Sequence, residues 1–385
     1  MKRVGWILVV GCLLIGIFPL GADAAALTVA GKSAVLMDVA TGTVIYEANA
    51  HEALAPASVT KVMTMLLIME AIDGGKIGWD DPVTASEAAA AKGGSQIYLK
   101  VGETMTVSDM VKSIAVSSAN DCACAMAEHL AGSEEAFVQQ MNERARELGM
   151  QNTNFVNCTG LDDAPEAQQH KTSAYDIAVM SRQLLKNHPD IKKFTTIWMD
   201  TVRGGNFGLS NTNKMVRFYS GCTGLKTGFT SGAGYCLSAS AQRDGMELIA
   251  VVMGSATSQE RFAACKSMLD YGFANYAVYT PSLQEQAAVP VELGRAKTVT
   301  AIPGESPALL VEKGQLNAIT SQILLEEGMT APVSKGQRLG TLTIKAGQQI
   351  LSQIPLVAET GVERKSWGDI FIDLLRQVAM AKPRA

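Results

Sequence analysis

The stretch APASVTKVMT at residues 55–64 decides the fold of the chain around it. Ser58 precedes Lys61 by three residues, and from there to Asp73 the sequence carries Met, Leu and Ile at helical spacing before two glycines. Residues three apart lie on one face of a helix. The sequence therefore predicts a serine and a lysine side by side at the start of a largely apolar helix.

Two further motifs follow at wide intervals, Ser118-Ala119-Asn120 and Lys226-Thr227-Gly228. A lone Ser-x-x-Lys pair occurs by chance about once in a chain of this length, but the ordered set of three is much rarer. Taken singly, the second motif could cap a helix and the third could end a strand. A serine hydroxyl needs a base within hydrogen-bond reach to become a nucleophile. Lys61 can be that base if burial and a neighbouring cation, for which Lys226 is the candidate, lower its pKa.

The three motifs and their flanks resemble those of the low-molecular-mass penicillin-binding proteins, the serine D-alanyl-D-alanine carboxypeptidases of the peptidase S11 type. The similarity extends from about residue 27 to the C-terminus. It implies that Ser58 is the nucleophile, Lys61 the base and Ser118 the relay for a proton. It also implies that Asn120 holds the substrate amide and that Lys226 faces the terminal carboxylate of the substrate.

The same resemblance implies a substrate-binding strand. Thr227 would bind the carboxylate together with Lys226, and Gly228 would let a substrate strand approach closely. The backbone N–H of Phe229 would form an oxyanion hole with that of the nucleophile. Arg261 follows where the family places an arginine near the carboxylate; the alternative is a surface arginine at the start of a helix.

The implied reaction is attack on the penultimate D-Ala of a peptidoglycan pentapeptide, release of the last D-Ala and hydrolysis of the acyl-enzyme, with β-lactams acylating the same serine. A β-lactamase is one alternative, but Glu166 is followed four residues later by His170 instead of the asparagine of that family's E-x-x-x-N motif. A wall- or drug-binding sensor that acylates without turnover is another. The complete set of polar catalytic side chains argues against the sensor.

No cofactor or metal is expected, since the sequence has no C-x-x-C motif or histidine pair suited to zinc. Cys222 and Cys236 bracket the third motif, so a hairpin would place them on facing strands, either as a disulfide or as two buried thiols.

No G-x-S-x-G motif accompanies the histidines. We therefore interpret them as structural or surface residues: His51, His129, His170 and His188.

The 385 residues suffice for two domains, and a net charge of -4 offers no basic face for nucleic acid.

Lys2 and Arg3 precede an apolar run over residues 4–20, and Ala22-Asp23-Ala24 follows. This pattern predicts a signal peptide over residues 1–25, with an uncleaved membrane helix as the alternative. We expect an exported protein at the outer face of the bacterial cytoplasmic membrane.

Strand patterns at both ends of a helical middle predict an α+β catalytic domain over residues 27–279, with an antiparallel sheet covered by helices. Its elements include one helix around the second motif and a pair of strands over residues 224–254. Short alternating runs over residues 285–360 predict a small β-sandwich domain. Over residues 365–381, an amphipathic helix either docks on its own domain or, as the resemblance implies, lies in the membrane interface. Its apolar residues are Trp367, Ile370, Phe371, Leu374, Leu375 and Val378.

Overall fold

The structure is a computed structural model that describes residues 27–281, 287–304 and 308–380. The predicted signal peptide, residues 1–25, lies outside the described residues. Across the part of the chain that is described, none of the helices combines the length and the apolar character needed to cross a membrane.

Helices fill the middle of the chain, and strands dominate its two ends. The helices are α1 (Lys61–Asp73), α2 (Glu87–Ala90), α3 (Val107–Ser117), α4 (Asn120–Ala131), α5 (Glu134–Glu147), α6 (Ala174–Asn187), α7 (Lys192–Thr195), α8 (Met215–Phe218), α9 (Ser258–Asn275) and α10 (Trp367–Met380). The strands are β1 (Ser33–Asp38), β2 (Val44–Ala48), β3 (Pro82–Thr84), β4 (Thr104–Thr106), β5 (Met199–Val202), β6 (Phe207–Ser210), β7 (Cys222–Thr230), β8 (Gly234–Arg243), β9 (Met246–Ser255), β10 (Tyr276–Tyr279), β11 (Ala287–Pro290), β12 (Thr298–Pro303), β13 (Leu309–Glu312), β14 (Ile319–Leu325), β15 (Arg338–Ala346) and β16 (Gln349–Ala358).

A five-stranded antiparallel sheet in the order β2-β1-β9-β8-β7 forms the centre of the first domain. Its central strand β9 is buried almost throughout because helices cover both faces. Val251 faces the core shared with α1, α3, α4 and α6, whereas Leu248 packs on the α9 side with Leu269. The predicted helix-covered antiparallel sheet is therefore confirmed, and the third motif lies on its outer strand β7.

Two elements differ from the sequence prediction. The single helix predicted around the second motif is two helices, because Ser118 adopts a left-handed conformation (φ 63°) that ends α3. The segment 224–254 holds three strands in place of a pair. Asp244 and Gly245, both with positive φ, turn β8 back into β9, as an Asp-Gly pair favours in a two-residue hairpin loop.

The second domain is all-β, as predicted. Its five-stranded sheet has the order β11-β12-β16-β15-β14, and the inward side chains of these strands form a separate hydrophobic core. The pair β10–β13 adds Tyr279 and Leu309 to that core. Helix α10 follows this domain.

Candidate active site

A short 3-10 turn, Ala57–Thr60, carries Ser58 into α1; we refer to it as the nucleophile turn. Lys61 Nζ donates hydrogen bonds to Ser58 Oγ at 3.0 Å and to the carbonyl of Thr159 at 2.9 Å. Burial of Lys61 lowers its pKa to about 7, although Cys158 opposes the shift. Of the two causes that the sequence suggested, burial is therefore the one that lowers the pKa of Lys61, and the charge of a neighbouring cation is not a main cause. A base that can lose its proton near neutral pH lies beside the serine hydroxyl.

The second motif leaves polar atoms unpartnered in a buried position. Ser118 Oγ and Asn120 Oδ1 have no hydrogen-bond partner among the described residues. Asn120 Nδ2 donates to the carbonyl of Gly93 at 2.7 Å, which fixes the orientation of the amide. Neither side chain caps the following helix, so the capping interpretation is wrong. Buried polar atoms normally have partners, and a bound substrate could provide them here.

The third motif brings a second buried lysine to the site. Lys226 Nζ donates to the carbonyl of Thr227 at 2.8 Å, and burial followed by the positive charge of Lys61 holds its pKa well below the ordinary value. Thr227 Oγ1 donates to Thr212 Oγ1 at 2.7 Å. The backbone N–H of Thr212 in turn donates to the carbonyl of Val116 at 3.1 Å. These two hydrogen bonds link the third motif to the end of α3, the helix that precedes the second motif.

Gly228 brings β7 against the nucleophile turn. A Cβ atom at this position would lie 2.6 Å from the carbonyl oxygen of Pro56 and 3.0 Å from the amide nitrogen of Val59. The sequence predicted that Gly228 admits a substrate strand. The structure shows that the missing side chain also lets the first and third motifs of the chain itself come together, and the substrate role of Gly228 stays a prediction.

Arg261 supports β7 from within the domain. Its side chain is only 7% exposed, so the alternative of a surface arginine is wrong. Its Nη1 donates to the carbonyls of Gly228 at 2.8 Å and Cys236 at 3.2 Å. The guanidinium also lies 5.2 Å from the ring centre of Tyr235, which stacks on the half-exposed Phe229. Arg261 thus holds the backbone of the motif strand and the aromatic pair next to it.

Sequence reasoning did not show that the loop over residues 157–160 contacts and supports the start of α1. Its Cys158 carbonyl accepts a hydrogen bond from Thr64 Oγ1 at 2.6 Å, in addition to the bond between Thr159 and the lysine base. Asn157 Oδ1 accepts from the N–H of Gly160 at 2.7 Å and holds the loop in shape. An asparagine three residues before a glycine is a turn signal, but the sequence does not say which helix the turn contacts.

Cys222 and Cys236 lie on adjacent strands, as the hairpin argument predicted, but at opposite ends of the ladder. Cys222 pairs in register with Ala241, whereas Cys236 pairs with Gly228. Both are free thiols, so the disulfide alternative is wrong. Among the residues that the structure describes, no group of His, Cys, Asp or Glu is arranged to hold a metal ion.

Among the hydrogen bonds of the described residues, none joins Lys61 to the carboxylate that the β-lactamase alternative needs. Glu166 lies on an exposed 3-10 turn, Pro165–Gln169. The hydrogen bonds of Lys61 go to Ser58 and Thr159. The arrangement is therefore a serine with a lysine base, and it lacks the glutamate contact that drives deacylation in class A β-lactamases.

Comparison with known protein families agrees with this chemistry. The family described as D-alanyl-D-alanine carboxypeptidase, peptidase S11, matches residues 21–257, more than half of the chain. The chain belongs to this carboxypeptidase family. Residues 280–364 match the C-terminal domain of penicillin-binding protein 5. The chain is therefore a serine hydrolase of the penicillin-binding type, and neither the β-lactamase nor the sensor alternative is favoured.

Individual relatives of the family cover nearly the whole chain. The D-alanyl-D-alanine carboxypeptidase DacF of Bacillus subtilis is 43% identical over 376 residues, which are 94% of this chain and 95% of DacF. DacC of Escherichia coli is 35% identical, over 87% of this chain and 85% of its own. The structure of penicillin-binding protein 5 from Haemophilus influenzae superimposes with a TM-score of 0.77 at 29% identity, covering 88% of this chain and 98% of its own.

Proposed function

We propose that this carboxypeptidase removes the terminal D-Ala from peptidoglycan pentapeptides through an acyl-enzyme on Ser58. One observation carries the residue assignment: Lys61 Nζ lies 3.0 Å from Ser58 Oγ, and burial lowers the pKa of that lysine to about 7. A neutral amine at hydrogen-bond distance can take the serine proton as the hydroxyl attacks.

In the acylation step, Ser58 Oγ bonds to the carbonyl carbon of the penultimate D-Ala while its proton passes to Lys61 Nζ. The backbone N–H groups of Ser58 and Phe229 stabilise the oxyanion of the tetrahedral intermediate. The intermediate collapses by breaking the C–N bond to the last D-Ala. The leaving amine receives the proton from Lys61 through the hydroxyl of Ser118, whose unpartnered Oγ supports this role.

In the deacylation step, a water molecule attacks the ester carbonyl and gives its proton to Lys61. The C–O bond to Ser58 then breaks, and the serine oxygen takes the proton back. The shortened peptide leaves with a new carboxylic acid group, which releases its remaining proton to solvent and becomes a carboxylate. Asn120 holds the amide of the acyl part through both steps, with its Oδ1 free of other partners.

Lys226 and the Thr227 hydroxyl bind the carboxylate of the terminal D-Ala. Burial lowers the pKa of Lys226 in the free enzyme, and an anion beside it raises that pKa again. Substrate binding therefore favours the protonated form of Lys226. A substrate without the carboxylate lacks this contribution and is expected to bind poorly.

The direct test measures the mass of the soluble chain over time after mixing with benzylpenicillin, together with D-Ala release from a pentapeptide. We expect a penicilloyl adduct that maps to Ser58 and steady D-Ala release. Rapid hydrolysis of the drug without an adduct would instead indicate a β-lactamase, and an adduct without D-Ala release would indicate a sensor. The Ser58→Ala variant should lose both reactions, and D-Ala release by this variant would refute the assignment.

We also propose that α10 lies in the membrane interface. Five of its apolar side chains are exposed, from 49% at Ile372 to 88% at Trp367, while Ile370 is half-buried. This exposure supports insertion in preference to docking on the β domain. On the polar side of the helix, Lys365 forms an ion pair with Asp373. Arg295 forms one with Asp369. An amphipathic helix of this kind buries its apolar face among acyl chains without spanning the bilayer.

Sedimentation with phosphatidylglycerol–phosphatidylcholine vesicles tests this helix. The wild-type protein should sediment with the vesicles, and a Phe371→Asp/Leu375→Asp variant should stay in solution. Leu324→Asp is the matched control, because Leu324 is 70% exposed but lies on β14, so it should behave as wild type. Equal sedimentation of the double variant and the wild type would refute the proposal.

We propose, finally, that residues 1–25 are a cleaved signal peptide and that the protein works at the outer face of the cytoplasmic membrane. The charged start, the apolar run and Ala22-Asp23-Ala24 support this. Expression of the full chain in a bacterium and mass measurement of the recovered protein test it. We expect a mature N-terminus near residues 24–26, whereas an intact N-terminus would indicate the uncleaved membrane helix.

A further inference from the structure

A buried chain of hydrogen bonds leads from a histidine to the nucleophile turn. His170 Nε2 lies 2.8 Å from Thr60 Oγ1, although the two residues are 110 positions apart. Thr60 Oγ1 donates to the carbonyl of Ala57 at 2.8 Å. Ala57 immediately precedes Ser58, so the chain ends at the residue before the nucleophile.

The direction of these bonds is set by the other ring nitrogen. His170 Nδ1 accepts a hydrogen bond from the backbone N–H of Val156 at 3.1 Å. A neutral imidazole with an accepting Nδ1 carries its proton on Nε2, and therefore Nε2 donates to Thr60. Burial, followed by the charges of Lys171 and Lys61, lowers the pKa of His170 to about 4, which keeps the ring neutral in the working range of the enzyme.

The carbonyl at the end of the chain belongs to a strained residue. Ala57 has a φ of 49°, a conformation that a residue with a side chain adopts only when its surroundings enforce it. Gly160, in the loop over residues 157–160, lies in close contact with this carbonyl. A Cβ atom on Gly160 would lie 1.9 Å from the Ala57 oxygen. The Ala57 carbonyl is therefore held by a hydrogen bond from Thr60 and by contact with Gly160.

We propose that His170, acting through Thr60, is a positioning residue that keeps the nucleophile turn in its reactive geometry. The proposal rests on the assignment of Ser58 as nucleophile. Without the bond from His170, the Thr60 hydroxyl can rotate away from Ala57, and the backbone before the serine relaxes toward an ordinary conformation. A displacement of about 1 Å at a reacting group can lower a rate about a hundredfold.

Two substitutions of His170 distinguish the hydrogen bond of Nε2 to Thr60 from that of Nδ1 to Val156, because each retains one of the two bonds. The amide nitrogen of His170→Gln can reach the place of Nε2 and keep a donor for Thr60. The oxygen of His170→Asn can replace Nδ1 as acceptor for Val156, but its side chain is too short to reach Thr60. We expect His170→Asn to lower the second-order rate of acylation by benzylpenicillin about tenfold to a hundredfold. His170→Gln should stay within about threefold of wild type.

Substitutions of Thr60 give the same test without touching the histidine. Thr60→Val removes the hydroxyl and should lower acylation as much as His170→Asn, whereas Thr60→Ser keeps the hydroxyl and should retain the rate. Because both residues act through one chain of bonds, the His170→Asn/Thr60→Val double variant should acylate no more slowly than Thr60→Val. Independent, multiplying losses would refute the proposed connection.

Thr153→Val is the matched control for loss of stability. It also removes a threonine hydroxyl with two side-chain partners, Thr172 and Asp176, but away from the nucleophile turn. Melting temperatures and the final fraction acylated are measured for each variant below its melting range. Lower melting temperatures with wild-type acylation in His170→Asn and Thr60→Val would overturn the proposal. Absence of any acylation in the wild-type protein would instead refute the assignment of the nucleophile.

Discussion

The pH dependence of acylation tests whether Lys61 acts as the base in its neutral form. Burial lowers the pKa of Lys61 from 10.5 to about 7, and acylation should follow the fraction of the lysine that has lost its proton. At a pKa of about 7 that fraction is about 9% at pH 6 and about 91% at pH 8. The acylation rate should therefore rise about tenfold between these values and then level off.

An unperturbed lysine would give a different curve. With the ordinary pKa of 10.5, the neutral fraction would rise about a hundredfold between pH 6 and pH 8 and would still be climbing at pH 9. The shape of the profile above pH 7 thus distinguishes a buried base from an exposed one. Its midpoint reports the pKa in the free enzyme.

The assay is the second-order rate of acylation by a fluorescent penicillin from pH 5.5 to pH 9.5, because this rate excludes the hydrolysis step. Circular dichroism at each pH verifies that the protein stays folded. Lys61→Arg is the control, since its guanidinium does not lose a proton in this range, and it should be inactive throughout. A rate that keeps rising tenfold per pH unit up to pH 9 would refute the reasoning.

Three further results are expected. Gly160→Ala should lower acylation by at least a hundredfold and reduce the melting temperature, because its Cβ would lie 1.9 Å from the Ala57 oxygen. Arg261→Ala should cost about 2–4 kcal/mol in urea unfolding, since it removes the buried hydrogen bonds to the carbonyls of Gly228 and Cys236. His170 should make the free energy of unfolding depend on pH. Its pKa is about 4 in the folded chain and about 6.5 in the unfolded chain. As the pH falls, the unfolded chain therefore takes up a proton at His170 at a higher pH than the folded chain does. Stability should fall by up to about 3 kcal/mol from pH 6.5 to pH 4, and a His170→Gln variant should lack this contribution.

Much of the fold follows from local patterns in the sequence. The helix after Ser58 and the all-β second domain are both predicted from periodicity and turn residues. The two errors in the first domain have local causes. The left-handed Ser118 splits a helix that periodicity alone continues, and the turn at Asp244 and Gly245 was overlooked.

The site residues themselves were predictable from their motifs, but the contacts that surround them were not. The motifs identified the polar groups that the structure places at the nucleophile turn, on β7 and at the junction of α3 and α4. Motif spacing did not show that Gly228 contacts the nucleophile turn or that Arg261 is buried under β7. Those facts depend on which surfaces of the folded chain face each other, and a single sequence does not record this.

The sequence by itself determined the reacting groups of this carboxypeptidase: a serine and a lysine at helical spacing, because i and i+3 side chains share a face wherever a helix forms. The tertiary structure alone decided their reactivity. The pKa of Lys61 falls because the folded domain removes water from it, and the turn that presents Ser58 is held by His170, about a hundred residues along the chain. Desolvation and contacts between distant segments arise only when the chain has packed, so neither can be calculated from spacing.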